Sequence, residues 1–257
     1  MAPTDQRPTY TKARRNRTFA LGIAAGAALM LLLNFAIGAT ADKSITEPTT
    51  TVTVTAGQQP QAEQTEDSGI GVDLSRRIEG DPMALGAVDA PVVMVEYADY
   101  RCPYCSLFEQ EILPGIVAEY VDLGLLRVEF RDMPLFGDYS YDAAVAGRAA
   151  GNQGKFWEFM NVVAANGVEE GGHPDLPRER LVEFADQAGV ADLDKFTADL
   201  DDAELLAAVE ADLAEGRQLG ISGVPAFLVG DVPVAGAQPI EVFRDVLTQE
   251  LAEAGIS

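Results

Sequence analysis

The chain has 257 residues, 47% of them hydrophobic, enough for one large domain or two small ones with a real core. Its formal net charge is −23, and because the first 17 residues hold five bases against one acid, everything after them carries −27. A surface that acidic excludes nucleic acid as a partner, and two cysteines three positions apart exclude the many-bridged scaffold of a small secreted domain.

Residues 1–17 form a basic tail, with Lys12, Arg14, Arg15 and Arg17 close together. Residues 18–41 are uncharged, and 24 residues of helix span roughly 36 Å, sufficient for a hydrocarbon core of about 30 Å. The basic residues before this stretch place the N-terminus in the cytoplasm and the rest of the chain outside, in a single-pass layout. The alternative is a signal peptide cleaved after Ala41, where Ala39-Thr40-Ala41 has the small-x-small form, leaving a secreted protein. Residues 42–75 read as a flexible linker: they are rich in Thr, Gln and Glu, and no aromatic occurs from 42 to 96.

The folded domain is expected over 76–257. Val92–Tyr97 is a short apolar, β-branched run of the kind found in a buried parallel strand. Ser106–Leu123 has apolar residues at helical spacing and a Pro114 that should kink it. Leu125–Phe130 is a second strand. Strand, helix, strand in that order gives a right-handed crossover and an α/β fold class. From Tyr139 to Gly216 the pattern is helical throughout, with Gly, Pro and Asp as punctuation. Val224–Val229 and Val232–Val234 flank a Gly230-Asp231 turn, a hairpin signal, and Ile240–Ala254 closes the chain as a helix.

Chemistry concentrates in Cys102-Pro103-Tyr104-Cys105. With Cys102 at a helix N-cap and Pro103 at the first helical position, the free N–H groups and the positive dipole end point at the Cys102 sulfur. They favour thiolate over thiol and lower its pKa below about 8.5, and a thiolate both attacks disulfides and leaves from them. Cys105, one turn further, is the expected buried resolving thiol. Arg101 beside the motif adds a positive charge that counts for little if exposed. An inert staple is the alternative, but a four-residue loop gains only roughly 2 kcal/mol from closure. Half of a zinc or copper site is another, and His173 is the one histidine that could join it.

Glu96 stands in an otherwise apolar strand, six residues before Cys102. Burial raises the pKa of such a carboxyl, and from beneath the motif it could exchange a proton with Cys105. Gly223-Val224-Pro225-Ala226-Phe227 opens a later strand, and its residues alone leave the isomer of the Val224–Pro225 bond open.

Four separated segments in one order carry a family resemblance: VVMVEYADYRCPYC (Val92–Cys105), VEFRDMPL (Val128–Leu135), Ser140–Phe159 with its QGKFW run, and GISGVPAFLV (Gly220–Val229). Together they resemble the DsbA-like branch of the thioredoxin superfamily over about residues 78–255. The resemblance implies a thioredoxin-like fold with a helical insertion at about 138–216. It implies that Cys102 is the nucleophile, Cys105 the resolver, Glu96 the buried acid, and Pro225 a cis-proline facing the motif. Val224 then helps hold the substrate backbone beside Pro103 and Tyr104. The central Pro103-Tyr104 pair departs from the Pro-His of the strongest oxidants and looks like that of glutaredoxins.

The anchored layout resembles membrane-bound DsbA-like proteins of Gram-positive bacteria. It implies an extracytoplasmic thiol–disulfide oxidoreductase that needs no cofactor beyond its own Cys102–Cys105 disulfide. The implied partners are unfolded or thiol-containing exported proteins, with reoxidation by a quinone-linked membrane protein of DsbB or vitamin-K-epoxide-reductase type. A reductase or isomerase of the same fold, or a metal-delivery module, are the other readings. Phe136, Phe156 and Trp157 are candidates to line a substrate groove.

Overall fold

The computed structural model describes residues 72–170 and 172–256. The basic tail, the apolar stretch 18–41 and the linker up to residue 71 lie outside the described residues. Among the described residues, no helix is long and apolar enough to cross a membrane.

Five strands form one mixed sheet in the order β1-β3-β2-β4-β5. At its centre, β2 (Val92–Ala98) is buried along its whole length, as its apolar run predicts. It pairs in parallel with β3 (Leu126–Asp132), from Val92 opposite Leu126 to Ala98 opposite Asp132. On its other side it pairs antiparallel with β4 (Ala226–Val229), which turns at Gly230 into β5 (Val232–Ala235). Gly230 has φ 60°, the left-handed region that a tight hairpin demands. The two-residue β1 (Ala84–Leu85) adds to the outer edge of β3 and has no counterpart among the strands expected from sequence.

The parallel pairing of β2 and β3 requires a crossover, and residues 103–121 supply it in four helical pieces. These are α1 (Pro103–Leu107), a π-helical turn at Phe108–Ile112, α2 (Leu113–Ile116) and a second π turn at Val117–Val121. Helix begins at Pro103, as its place after the Cys102 N-cap predicts and three residues before the apolar stretch Ser106–Leu123, and near the kink expected at Pro114 the chain makes a π turn at Phe108–Ile112. Pro114 falls in the first turn of α2, where its missing N–H breaks no regular bond.

Between β3 and β4 the chain runs through α3 (Asp138–Gly151), α4 (Phe156–Glu170), α5 (Arg178–Gln187), α6 (Leu193–Asp199) and α7 (Ala203–Gln218). The chain ends with α8 (Ile240–Glu253). Alternation along β2 sorts its side chains. Val92, Met94 and Ala98 join the large core that includes Cys105, Phe108 and Phe243, whereas Val93, Val95 and Tyr97 pack with Met133 and Leu213. Beneath the motif Phe108, Phe227 and Phe243 interlock, with centroids 4.5, 5.1 and 5.3 Å apart. Each such ring contributes about 1.5–3 kcal/mol by burial.

β3 runs two residues past the expected Phe130 because Arg131 and Asp132 are buried with partners. Its second face is charged: Arg127, Glu129 and Arg131 alternate there, all buried. Residues 74–78 cross that face. The backbone N–H groups of Arg76 and Arg77 each donate to the Glu129 carboxylate at 2.8 Å. Arg127 and Arg131 donate to the carbonyls of Ile78 and Leu74 as well as to Glu129. Leu74 and Ser75, which composition assigns to the linker, thus already belong to the packed chain, and Leu74 packs against the second core cluster.

Candidate active site

Cys102 is the N-cap of α1, in extended conformation, and Pro103 opens the helix. No side chain caps this end, so its N–H groups are left for the sulfur. The Cys102 thiol is lowered to about 7: the hydrogen bond with the Cys105 thiol favours the thiolate, burial opposes it, and the backbone N–H groups of Cys105 and Tyr104 favour it again. Cys105 is pushed well up, by burial first and then by Cys102. Both thiols are free. One helical turn thus separates a sulfur poised to ionise near neutrality from one that holds its proton.

Across the motif, the Val224–Pro225 peptide bond is cis, and the Val224 carbonyl accepts a hydrogen bond from Cys102 Sγ at 3.4 Å. Tyr104 projects outward, 65% exposed, so the motif's rim carries an aromatic ring where a histidine would bring charge.

Glu96 lies on the face of β2 that packs against the crossover helix, fully buried, and neither carboxylate oxygen has a hydrogen-bond partner. Burial pushes its pKa well above the usual carboxylate range, and the charge of Glu109 raises it further. Glu109 is a second buried acid, pushed up to about 8 by burial. It lies four residues after Cys105, on the same helical face, and both line a cavity of about 10 Å³.

The comparisons with known proteins agree with this geometry. A family model described as thioredoxin matches residues 79–249. A probable disulfide bond formation protein D from Bacillus cereus is 31% identical over 57% of this chain and 68% of its own length. Disulfide bond formation protein D from Bacillus subtilis is 26% identical over 73% of this chain and 85% of its own length. This chain belongs to the thioredoxin family, on its DsbA-like branch of thiol–disulfide oxidoreductases. The crystal structure of oxidised BdbD from Bacillus subtilis superposes with a TM-score of 0.61 at 25% identity, covering 68% of this chain and 95% of that one. The alpha-DsbA1 structure from Wolbachia pipientis gives 0.59 at 25%, covering 67% and 92%. A Na(+)/H(+) antiporter NhaA of Salinispora tropica also matches at 31% over 66% of this chain, but the chain spans only about a quarter (24%) of that relative's length.

Several expected contributors to this DsbA-like site sit elsewhere. Arg101 is buried, not exposed, and turns away from the sulfurs. Its guanidinium donates to the carbonyls of Pro174, Phe136 and His173 and to the Asp175 carboxylate, and lies 5.4 Å from the Tyr139 ring centroid. It therefore ties two loops together, because carbonyls with unmet acceptors outcompete a solvated position beside Cys102. Phe156 and Trp157 belong to the core and line no groove; only Phe136 is partly open, stacked on His173 at 3.8 Å. Among the described residues no three His, Cys, Asp or Glu side chains are grouped to hold a metal ion.

Sequence reasoning passed over Glu109 and Asp99. The signal for Glu109 was present: it falls on the buried stripe of the crossover helix with Cys105, Phe108 and Ile112. Asp99 carried no local signal. Its carboxylate accepts from the N–H groups of Arg101, Leu135 and Phe136 and from the Ser140 hydroxyl, which pins the approach to the motif onto the loop after β3.

Proposed function

We propose that this chain is an extracytoplasmic, membrane-anchored oxidase that introduces disulfides into exported proteins by dithiol–disulfide exchange. The single observation that carries the exchange chemistry is the divided pair of sulfurs, Cys102 lowered to about 7 at a helix N-terminus and Cys105 buried and raised one turn away; the likeness to disulfide bond formation protein D supports the oxidising direction. In the oxidised protein a client thiolate attacks Cys102 Sγ, and the Cys102–Cys105 bond breaks with its electron pair on Cys105. A second client thiolate then attacks the client sulfur of the mixed disulfide, and Cys102 leaves as the more stable thiolate. The client gains one disulfide and the enzyme is left as a dithiol. Val224 and cis-Pro225 hold the client backbone beside Pro103 and Tyr104, and Glu96 exchanges a proton with Cys105. The apolar stretch 18–41 anchors the chain, and a quinone-linked membrane protein of DsbB or vitamin-K-epoxide-reductase type returns it to the disulfide.

One observation favours a second reading, a reductase. Tyr104 supplies no cation, and a nucleophile near 7 resembles the thioredoxin value of ≈ 7 more than the DsbA value of ≈ 3.5. The reduction potential of the full-length protein against glutathione separates the two. The oxidase reading expects a value well above roughly −270 mV, and a value at or below that range makes the protein a reductase. Cys102→Ser is expected to abolish oxidation of a reduced client; oxidation that persists in this variant would sink the mechanism.

A further inference from the structure

Below the motif lie several buried polar groups, from the cavity beside Cys105 to Arg76 and Glu215 at the surface, and those nearest the cavity are not joined by direct hydrogen bonds. The cavity beside Cys105 is lined by Asp99, Tyr100, Ser106 and Glu109, and its volume of about 10 Å³ is about the size that holds one water. Glu109 Oε1 and Tyr100 Oη are both buried without a hydrogen-bond partner in the protein. Leaving such groups unmet is costly, so a polar lining of this kind calls for a bridging water. Asp99, by contrast, has both oxygens occupied by backbone and Ser140 donors and is not free to pass a proton on.

Tyr100 extends from this cavity to α3. A Cβ built on Gly147 would lie 2.0 Å from Tyr100 Oη, so only glycine admits the hydroxyl there. The next residue, Arg148, donates to Asp132 at 2.6 Å and also to Asp212. Asp132 Oδ1 is buried without a partner, and Asp132 is the largest charge acting on the Tyr100 hydroxyl. Asp212 in turn accepts from Arg76, which also binds Glu215; these last two side chains are about one-third exposed.

We propose that Glu109 and the Tyr100 hydroxyl, bridged by water in the cavity they share with Cys105, carry the proton that Cys105 gains and loses in each cycle to the Asp132–Arg148 pair at the end of β3. The step rests on the exchange chemistry proposed above. When Cys105 leaves as a thiolate it takes one proton from the Glu96–Glu109 pair. When the site is reoxidised, the Cys105 thiol returns that proton, and its sulfur then attacks Cys102 in the mixed disulfide and expels the partner thiolate. Tyr100 accepts one proton as it donates another, and so stays neutral. Glu109 is faced by Cys105 and Ser106 on its own helix, by Glu96 from β2, and by Asp99 and Tyr100 from the loop after β2. Met160 and Ala164 of α4 close the cavity and bring no charge.

The test follows one step in the full-length reduced protein mixed with glutathione disulfide: attack of Cys105 on the Cys102–glutathione mixed disulfide, timed by stopped flow across pH. Glu109→Gln is expected to slow this step at least about tenfold near neutrality and to move its pH midpoint, in line with general acid–base contributions. Glu109→Asp should restore the midpoint, and Tyr100→Phe should slow the step and lower its solvent deuterium isotope effect. A folded Glu109→Gln protein with wild-type rate and midpoint overturns the proposal, as does Tyr100→Phe with an unchanged rate and isotope effect. Infrared difference spectra of oxidised minus reduced Glu96→Gln protein keep the proposal falsifiable if Glu109→Gln does not fold. A carboxyl change is expected there from Glu109, and none overturns it. Both directions of electron flow share this step, so a reductase-range potential alters only the function proposed above.

Discussion

Two clusters of buried acids lie on opposite faces of the same sheet and behave in opposite ways. On the charged face of β3, burial alone would raise Glu129, but the N–H of Arg76, the guanidinium groups of Arg127 and Arg131 and the N–H of Arg77 outweigh it and hold the carboxyl at about 2. On the face toward the motif, Glu96 and Glu109 are as deeply buried, have no cation beside them, and are raised, Glu109 to about 8. Burial is common to both clusters; the partners differ. A carboxylate wrapped in donors is fixed in charge and serves as a structural anion, whereas one without them exchanges its proton in the range where thiols ionise.

The largest way to break this contrast is to remove the anion from the paired cluster. Glu129→Ala leaves Arg127 buried without its counter-charge and Arg131 with only Glu215 at 3.4 Å, and should cost about 3–5 kcal/mol in denaturant unfolding. The exchange rate of the motif, at the other face, should change by less than about twofold. A loss in the unfolding experiment below about 1 kcal/mol would mean that water reaches this face.

Changing pH should move the two clusters in opposite directions. Glu96 and Glu109 both have folded pKa values above their unfolded ones, so the native state binds more protons as pH rises above the ordinary carboxylate range, for Glu109 between about 4.5 and 8. Their contribution to stability therefore falls as pH rises through that window, by at most ~1.4 kcal/mol per pH unit per group. Glu129 has the reverse sign: its contribution is complete above about 4.5 and is lost as pH falls toward 2. Glu109→Gln should flatten the alkaline limb of the stability profile and leave the acid limb intact. Equal loss of both limbs would show the clusters to be coupled.

A smaller change adds a cation to the side that has none. Tyr104→His places an imidazole at the 65% exposed rim position and should lower the Cys102 pKa below 7. It should raise the reduction potential by a few tens of mV, where 30 mV corresponds to about 1.4 kcal/mol. An unchanged potential would show that the rim position is too solvated to act on the sulfur. The smallest effect is expected at the edge of the paired cluster. Arg76→Ala removes ion pairs to Asp212 and Glu215 from a one-third exposed side chain and should cost about 1 kcal/mol or less, readable as a shift in the unfolding midpoint. A cost near that of Glu129→Ala would make residues 74–78 an integral part of the domain and not a covering strap.

The parts of the molecule legible in sequence are those whose signal is local. Val92–Ala98 shows its burial in its own composition, and the Gly230-Asp231 hairpin shows in the turn residues that separate its strands. Glu96 was legible because a carboxylate in an apolar strand violates the pattern around it. Glu109 was less so, since an acid in a helix looks like part of a solvated face until the face that packs inward is known. Arg131 and Asp132 look like a strand end for the same reason, because charge at a boundary ordinarily means exposure. The role of Arg101 was misread on that ground: its acceptors, at Phe136 and from His173 to Asp175, lie 35 to 74 residues further on.

The sequence by itself determined the motif and its polarity. Two intervening residues and a proline at the first helical position suffice to put Cys102 at a helix start and Cys105 one turn inside, and two-residue alternation suffices to aim Glu96 at that helix. Tertiary structure alone decided which buried charges are paired and which are not. Glu129 accepts from the backbone N–H of Arg76 across 53 residues and Asp212 pairs with Arg148 across 64, while Glu96 meets another acid. Geometry within one turn is set by covalent spacing, but the charge on a buried group is set by whatever the fold brings within a few ångströms of it.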